Sequence, residues 1–291
     1  MTHLFKHFLL RSGLMLGLML SALPSDAQRT RELVILHTND THSRIEPLPA
    51  NFKPADRADK AGFVRRATLV REMRREHPDL LLFDCGDFSQ GTPYYNMFQG
   101  EVEVRLMNAA GYDAGTIGNH EFDFGLDNMC RIFRMARYPI VCANYDFTGT
   151  VLEKVVKPYT IIRRHGLKIG VFGLSPRMEG LVQECNYEGV TYKDPVEAAN
   201  EVAALLKEKE HCDLVVCLSH LGWKSGLNNP ESDEYLIPRT RHIDIVLGGH
   251  SHSLFSDVVW YRNLDGEQVA LQQMGKNGEF VGKMTVKLSR P

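Results

Sequence analysis

Five times in this chain an apolar run closes on a glycine or another small residue and then on a cluster of Asp, Asn and His. The segments are ELVILHTNDTH (32–42), DLLLFDCGD (79–87), DAGTIGNHEFD (113–123), DLVVCLSHLG (213–222) and IDIVLGGHSH (243–252). Short runs rich in Val, Ile and Leu predict buried strands. Between them, AGFVRRATLVREMRREH (61–77), residues 101–110 and a stretch from 194 to 210 opened by Asp194 and Pro195 carry helical spacing. Such alternation defines an α/β layered domain, in one unit of two packed sheets with helices outside. In layered α/β folds the loops leaving the carboxyl ends of strands converge on the ligand crevice, so the five clusters are expected to meet.

Other segments fill in the architecture. YTIIRRHGLKIGVFGL (159–174) predicts a hairpin turning at His165 and Gly166, which makes His165 a turn residue and not a ligand. PIVCANYD (139–146) reads as a strand, and the alternating tail EQVALQQMGKNGEFVGKMTVKLS (267–289) as two antiparallel strands about a glycine-rich turn.

The clusters supply seven candidate metal ligands: Asp40, His42, Asp87, Asn119, His220, His250 and His252. Side chains two apart on an extended segment point to one side, so Asp40 with His42, and His250 with His252, can approach one locus. Glycines before Asp87, Asn119 and His250 let the backbone turn sharply there. Seven ligands are too many for one tetrahedral ion but suit two divalent ions bridged by a shared carboxylate, here Asp87. Oxygen and imidazole donors without thiolate favour Zn, Mn, Fe or Co over Ca or Mg.

Charge and cysteine usage narrow the rest. With 34 basic and 36 acidic side chains the net charge is −2, which gives no footprint for nucleic acid or a membrane surface. None of the six cysteines forms a C-x-x-C or zinc-site pattern; Cys85 and Cys217 lie in strand-like runs and are expected to be buried apolar side chains. Lys6, His7 and Arg11 precede the apolar LMLGLMLSAL, followed by a small-residue site ending at Ala27. Residues 1–27 are therefore expected to be a signal peptide, leaving residues 28–291 as an exported domain with no membrane attachment. That domain would be periplasmic in a Gram-negative bacterium and secreted otherwise.

TNDTH, GDFSQGTPYYNMFQGE, GYDAGTIGNHEFDFG, SHLG and GGHSH, in this order, resemble the catalytic domain of the 5'-nucleotidase family within the calcineurin-like metallophosphoesterase superfamily. The resemblance spans roughly residues 32 to 291 and implies a four-layer αββα sandwich. It further implies that Asp40, His42, Asp87 and His252 hold one ion and that Asp87, Asn119, His220 and His250 hold the other. His120 would be the catalytic histidine and Asp123 its carboxylate partner, with Glu121 a rival for that place. Two divalent ions lower the pKa of bound water, so hydroxide attacks phosphorus in line while His120 assists the leaving group.

Members with full nucleotidase activity carry a second, C-terminal domain that selects the nucleotide, and the sequence ends before such a domain. The expected activity is hydrolysis of phosphate monoesters, 5'-nucleotides above all, with a separately encoded partner resembling that domain; the substrate-binding residues are unknown. A cyclic-nucleotide phosphodiesterase or nucleotide-sugar hydrolase would use the same ions and the same histidine. A non-catalytic metal- or partner-binding module would be expected to lack part of the set, and every member is present.

Overall fold

The computed structural model describes residues 30–226 and 231–289, so the expected signal peptide lies outside the described residues. The first half runs β1 (Thr30–Thr38), α1 (Phe63–Glu76), β2 (Leu81–Asp84), α2 (Pro93–Phe98), α3 (Glu101–Ala110), β3 (Ala114–Gly115), α4 (Gly125–Phe133) and β4 (Tyr145–Asp146). The second half runs β5 (Tyr159–Arg164), β6 (Leu167–Leu174), β7 (Thr191–Tyr192), α5 (Pro195–Ala204), β8 (Leu214–Ser219), α6 (Asp233–Leu236), β9 (Ile245–Leu247), β10 (Val259–Arg262), β11 (Gln268–Gln272) and β12 (Gly282–Ser289).

Two sheets form, one ordered β12-β1-β2-β3 and the other β10-β11-β9-β8-β6-β5, with β4 and β7 as a separate ribbon. The period-2 alternation of the strands sorts their side chains into layers. Leu33, Ile35, Leu81 and Phe83 point between the sheets to meet Val171, Val216, Leu218 and Leu247 of the other sheet. Val34, Leu36 and Leu82 point outward onto Phe63 and Val70 of α1, Val104 and Met107 of α3, and Ile132 and Phe133 of α4. On the far side, Phe172, Val215, Cys217 and Val246 pack on Ala199, Val202 and Ala203 of α5. The layers are thus helix, sheet, sheet, helix.

Local chemistry sets the element ends. The Asp194 carboxylate accepts from Val196 N at 2.8 Å and Glu197 N at 3.0 Å, and Pro195 occupies the first helical position, so α5 starts where the sequence placed it. The helix continues to Lys209 only as a wider π turn over Leu205–Lys209. His165 adopts φ 52° in the turn between antiparallel β5 and β6, and Cys85 and Cys217 are fully buried.

Two expectations fail in an informative way. The tail does form two strands, but they do not pair: β11 lies between β10 and β9 in the second sheet, whereas β12 pairs antiparallel with β1 in the first. Alternation identifies a strand without naming its partner, and residues 273–281 carry the chain from one sheet to the other. The segment 139–146 contributes only the bridges Gly115↔Ile140 and Val141↔Lys157 before β4 begins at Tyr145. Its Ile140, Val141 and Cys142 are buried, so the apolar run marks burial rather than a full strand.

Candidate metal centre

β1, β2 and β3 run parallel, as do β8 and β9, so their carboxyl ends lie along one edge of each sheet. All seven candidate ligands follow those ends by one to five residues. The loops are tied directly to each other: Asp40 N donates to Gly86 O at 3.0 Å and His42 N to Asp87 O at 3.0 Å. Across the sandwich, His250 N donates to Asp40 Oδ2 at 2.9 Å.

The pairing of residues two apart arises differently from the expected strand pleat. Asp40, His42, Asp87, His250 and His252 all have positive φ, between 43° and 69°. Non-glycine residues rarely adopt this conformation, and it costs on the order of 1–3 kcal/mol each. Five at one locus turn each side chain inward from loops that have already left their strands. The preceding glycines serve close approach as much as turning: a Cβ on Gly249 would stand 2.7 Å from His220 Nδ1 and 2.8 Å from Cys85 O.

Two groups result. Asp40, His42 and His252 bring donor atoms within 4.8 Å of one another, and so do Asp87, His220 and His250. In the first, His252 Nε2 lies 3.0 Å from His42 Nε2 and 3.4 Å from Asp40 Oδ1. In the second, His220 donates Nδ1–H to Cys85 O at 2.6 Å, which leaves its Nε2 facing Asp87 Oδ2 at 3.1 Å. A hydrogen bond at one imidazole nitrogen fixes the other as the coordinating atom. His220 Nε2 and Asn119 Oδ1 are both buried without a hydrogen-bond partner. A buried amide oxygen without a donor is an acceptor that a divalent cation can satisfy, and His220 Nε2, which faces Asp87, becomes one once a cation displaces its proton.

The electrostatics agree. Burial would lower His220, but Asp87 and Asp40 outweigh it and push its pKa up to about 10. Burial would raise the Asp87 carboxyl, yet His220 beside it holds it well below the carboxylate range. The same negative field would attract a cation. His250 is pushed down to about 4 by burial and by the charge of His220, and burial also lowers His42.

His120 borders the first group, its ring centroid 5.6 Å from that of His42. Its Nδ1 lies 3.1 Å from Asp123 Oδ2, in a partly exposed pair. Burial would lower the His120 pKa, but the bond to Asp123 and the charge of Asp87 raise it. Glu121 points elsewhere: its buried carboxylate accepts from Asp87 N, Gly118 N and Ser89. Burial, with Asp87 nearby, pushes it up to about 7.

Two supporting residues, Asn39 and Gln273, were not singled out in the sequence. Asn39 Nδ2 donates to Asp40 Oδ2 at 2.6 Å and to Gly275 O at 2.8 Å. Gln273 Nε2 donates to Gly249 O at 2.6 Å, steadying the loop of His250. The bonds to Gly275 and Gly249 join residues more than 20 positions apart, which spacing does not reveal.

Paired N/O ligand groups at the strand ends of a two-sheet α/β sandwich form an arrangement suited to holding divalent cations. The calcineurin-like phosphoesterase model matches residues 33–254, and the chain belongs to that family. It is 30% identical over 277 residues to a snake venom 5'-nucleotidase of Gloydius brevicauda, covering 88% of this chain and 45% of that protein. It is 34% identical over 247 residues to a 2',3'-cyclic-nucleotide 2'-phosphodiesterase/3'-nucleotidase of Haemophilus influenzae, covering 77% of this chain and 36% of that one. The structure of a 5'-nucleotidase precursor from Thermus thermophilus superposes with a TM-score of 0.80 at 28% identity, over 88% of this chain and 51% of that one. The chain thus spans about half or less of the length of these relatives.

Proposed function

We propose that the domain hydrolyses phosphate monoesters, with 5'-nucleotides as the preferred class. The observation that carries this reading is the pair of adjoining ligand groups with the His120–Asp123 pair beside them. Asp40, His42, Asp87 and His252 would hold one divalent ion, and Asp87, Asn119, His220 and His250 the other. Zn, Mn, Fe and Co all suit these donors. When bound, such ions supply Lewis acidity toward phosphoryl oxygens and lower the pKa of water.

The protein's own groups do the rest. Asp123 accepts from His120 Nδ1, which fixes the tautomer and favours the imidazolium. His120 Nε2 then carries the proton, available to the oxygen of the leaving group. The strained loops hold Asp40, His42, Asp87, His250 and His252 in place before substrate arrives, so little reorganisation is needed during reaction.

A second reading, hydrolysis of cyclic nucleotides, is favoured by the similarity to the 2',3'-cyclic-nucleotide 2'-phosphodiesterase/3'-nucleotidase of Haemophilus influenzae. We further infer that nucleoside selection comes from a second domain outside residues 28–291, which the greater length of the relatives supports. A separate partner chain is the form proposed here. Export, with residues 1–27 removed, is also proposed, on the basic and apolar pattern of that segment. Among the described residues no helix is long and apolar enough to cross a membrane.

The test is a panel of nucleoside monophosphates, 2',3'-cyclic nucleotides and an aryl phosphate, given to the metal-loaded chain and to His120→Ala. Hydrolysis of the 5'-nucleotides that collapses in the variant supports the proposal. An unchanged rate in the variant removes His120 from the mechanism, and inactivity of the metallated wild type on every ester with the partner domain present removes the enzymatic reading. Strong selective nucleotidase activity from the chain alone removes the partner.

A further inference from the structure

The geometry points to Glu121 as the residue that sets the spacing between the loop of Asp87 and the loop of Asn119, and hence the geometry of the ion site those two residues would share. This rests on the dimetal reading above. Glu121 is 1% exposed, and the donors that meet its carboxylate are backbone N–H groups and a hydroxyl. A buried carboxylate without a cation is costly unless donors saturate it. Here they do. Oε2 accepts from Asp87 N at 3.0 Å and Gly118 N at 2.6 Å, while Oε1 accepts from Ser89 N at 3.3 Å and Ser89 Oγ at 2.9 Å.

The donors belong to both loops, so one carboxylate spans the joint between them. On one side it holds the backbone of Asp87 itself, and on the other the residue preceding Asn119. The loops also meet without intervening side chains. A Cβ on Gly86 would stand 2.7 Å from Gly118 N, and one on Gly118 would collide with the Asp87 carboxylate. Three of the four donors are backbone N–H groups, which cannot turn away. Glutamine keeps the shape of Glu121 but must place an NH₂ group against one pair of them in either orientation. Glu121 therefore acts as a positioning residue through Asp87 and Asn119.

The test uses the full chain, stripped and then titrated with Mn²⁺, as wild type, Glu121→Gln and Ser89→Ala, with circular dichroism as the fold control. The wild type is expected to take up two Mn²⁺ with an exchange-coupled EPR spectrum. In folded Glu121→Gln at least one binding step should weaken by about 10–100-fold, the usual effect of losing an outer-shell partner. The coupling in the EPR spectrum should also change, which a general loss of stability would not produce. A folded variant with wild-type affinity and spectrum overturns the role of Glu121. Where Glu121→Gln does not fold, Ser89→Ala decides: a smaller loss in the same step supports the role, and unchanged binding overturns it. A wild type that binds fewer than two Mn²⁺ refutes the dimetal reading itself, independently of either variant.

Discussion

The Nε2 atoms of His42 and His252 face each other 3.0 Å apart, with Asp40 Oδ1 3.4 Å from the second of them. Two imidazoles that meet nitrogen to nitrogen can share one proton or one cation. Adding Zn²⁺ or Mn²⁺ to chelator-treated protein should therefore raise its melting temperature in a concentration-dependent way. At 100 times Kd the stabilisation is about 2.7 kcal/mol per site. A thermal-shift titration checks this, and an unresponsive melting curve would contradict it.

His250 and His252 should serve different ions, since they fall into separate groups with Asp87 and His220 or with Asp40 and His42. Each alanine substitution should lower bound metal from two ions to about one per chain, weakening one site by at least about 100-fold. Metal analysis of the two variants, and of the double variant, distinguishes separate sites from a shared one. If both variants lose the same ion, the division is wrong.

Asp123→Asn should slow turnover less than His120→Ala, which should cost on the order of 10²–10⁴-fold. The sign of the pH effect follows from the raised His120 pKa, to which the Asp123 bond contributes. A raised pKa keeps the imidazolium, the acid form, available to higher pH. Without Asp123 the pKa falls, so the alkaline limb of kcat should move to lower pH. An unmoved limb would show that Asp123 does not act through His120.

Stability should fall in mild acid because of a residue outside the site. His37 is fully buried, its Nε2 lies 3.1 Å from Gln272 Oε1 of the opposite sheet, and burial pushes its pKa down to about 4. The unfolded chain takes up this proton near pH 6.5 whereas the folded chain resists it. The folded state is thus unpenalised above about pH 6.5 and loses stability as pH drops toward 4, by on the order of 3 kcal/mol. Urea unfolding at pH 7 and 4.5 should show a smaller loss for His37→Leu than for wild type, and equal losses would be inconsistent with this account.

Much of the architecture was legible because strand burial and helix spacing are local properties. The inward face of Leu33 and Ile35 and the outward face of Val34 and Leu36 follow from period 2 alone. The pairing of β12 with β1 was not legible, since the same alternation would serve a hairpin with β11. At the site, residue types pointed to the seven candidate ligands, but not to the left-handed backbone that presents five of them. Glu121 was visible only as a rival partner for His120. Its donors, Asp87 N and Gly118 N, come together only once the loops pack.

The crossover at residues 273–281 has a consequence for the order in which this protein comes into being. Along it, Met274 N donates to Asn39 Oδ1 at 2.9 Å and Asn277 N to Asp40 O at 2.7 Å. Beyond it, β12 closes on β1 over a register that joins Thr30 to Ser289. The first candidate ligand to leave the ribosome is therefore secured by residues near the end of the described segment. Pairing over so great a sequence distance forms slowly. A growing chain should then carry its ligands well before it can arrange them, and chemistry should begin only when synthesis of the domain is complete.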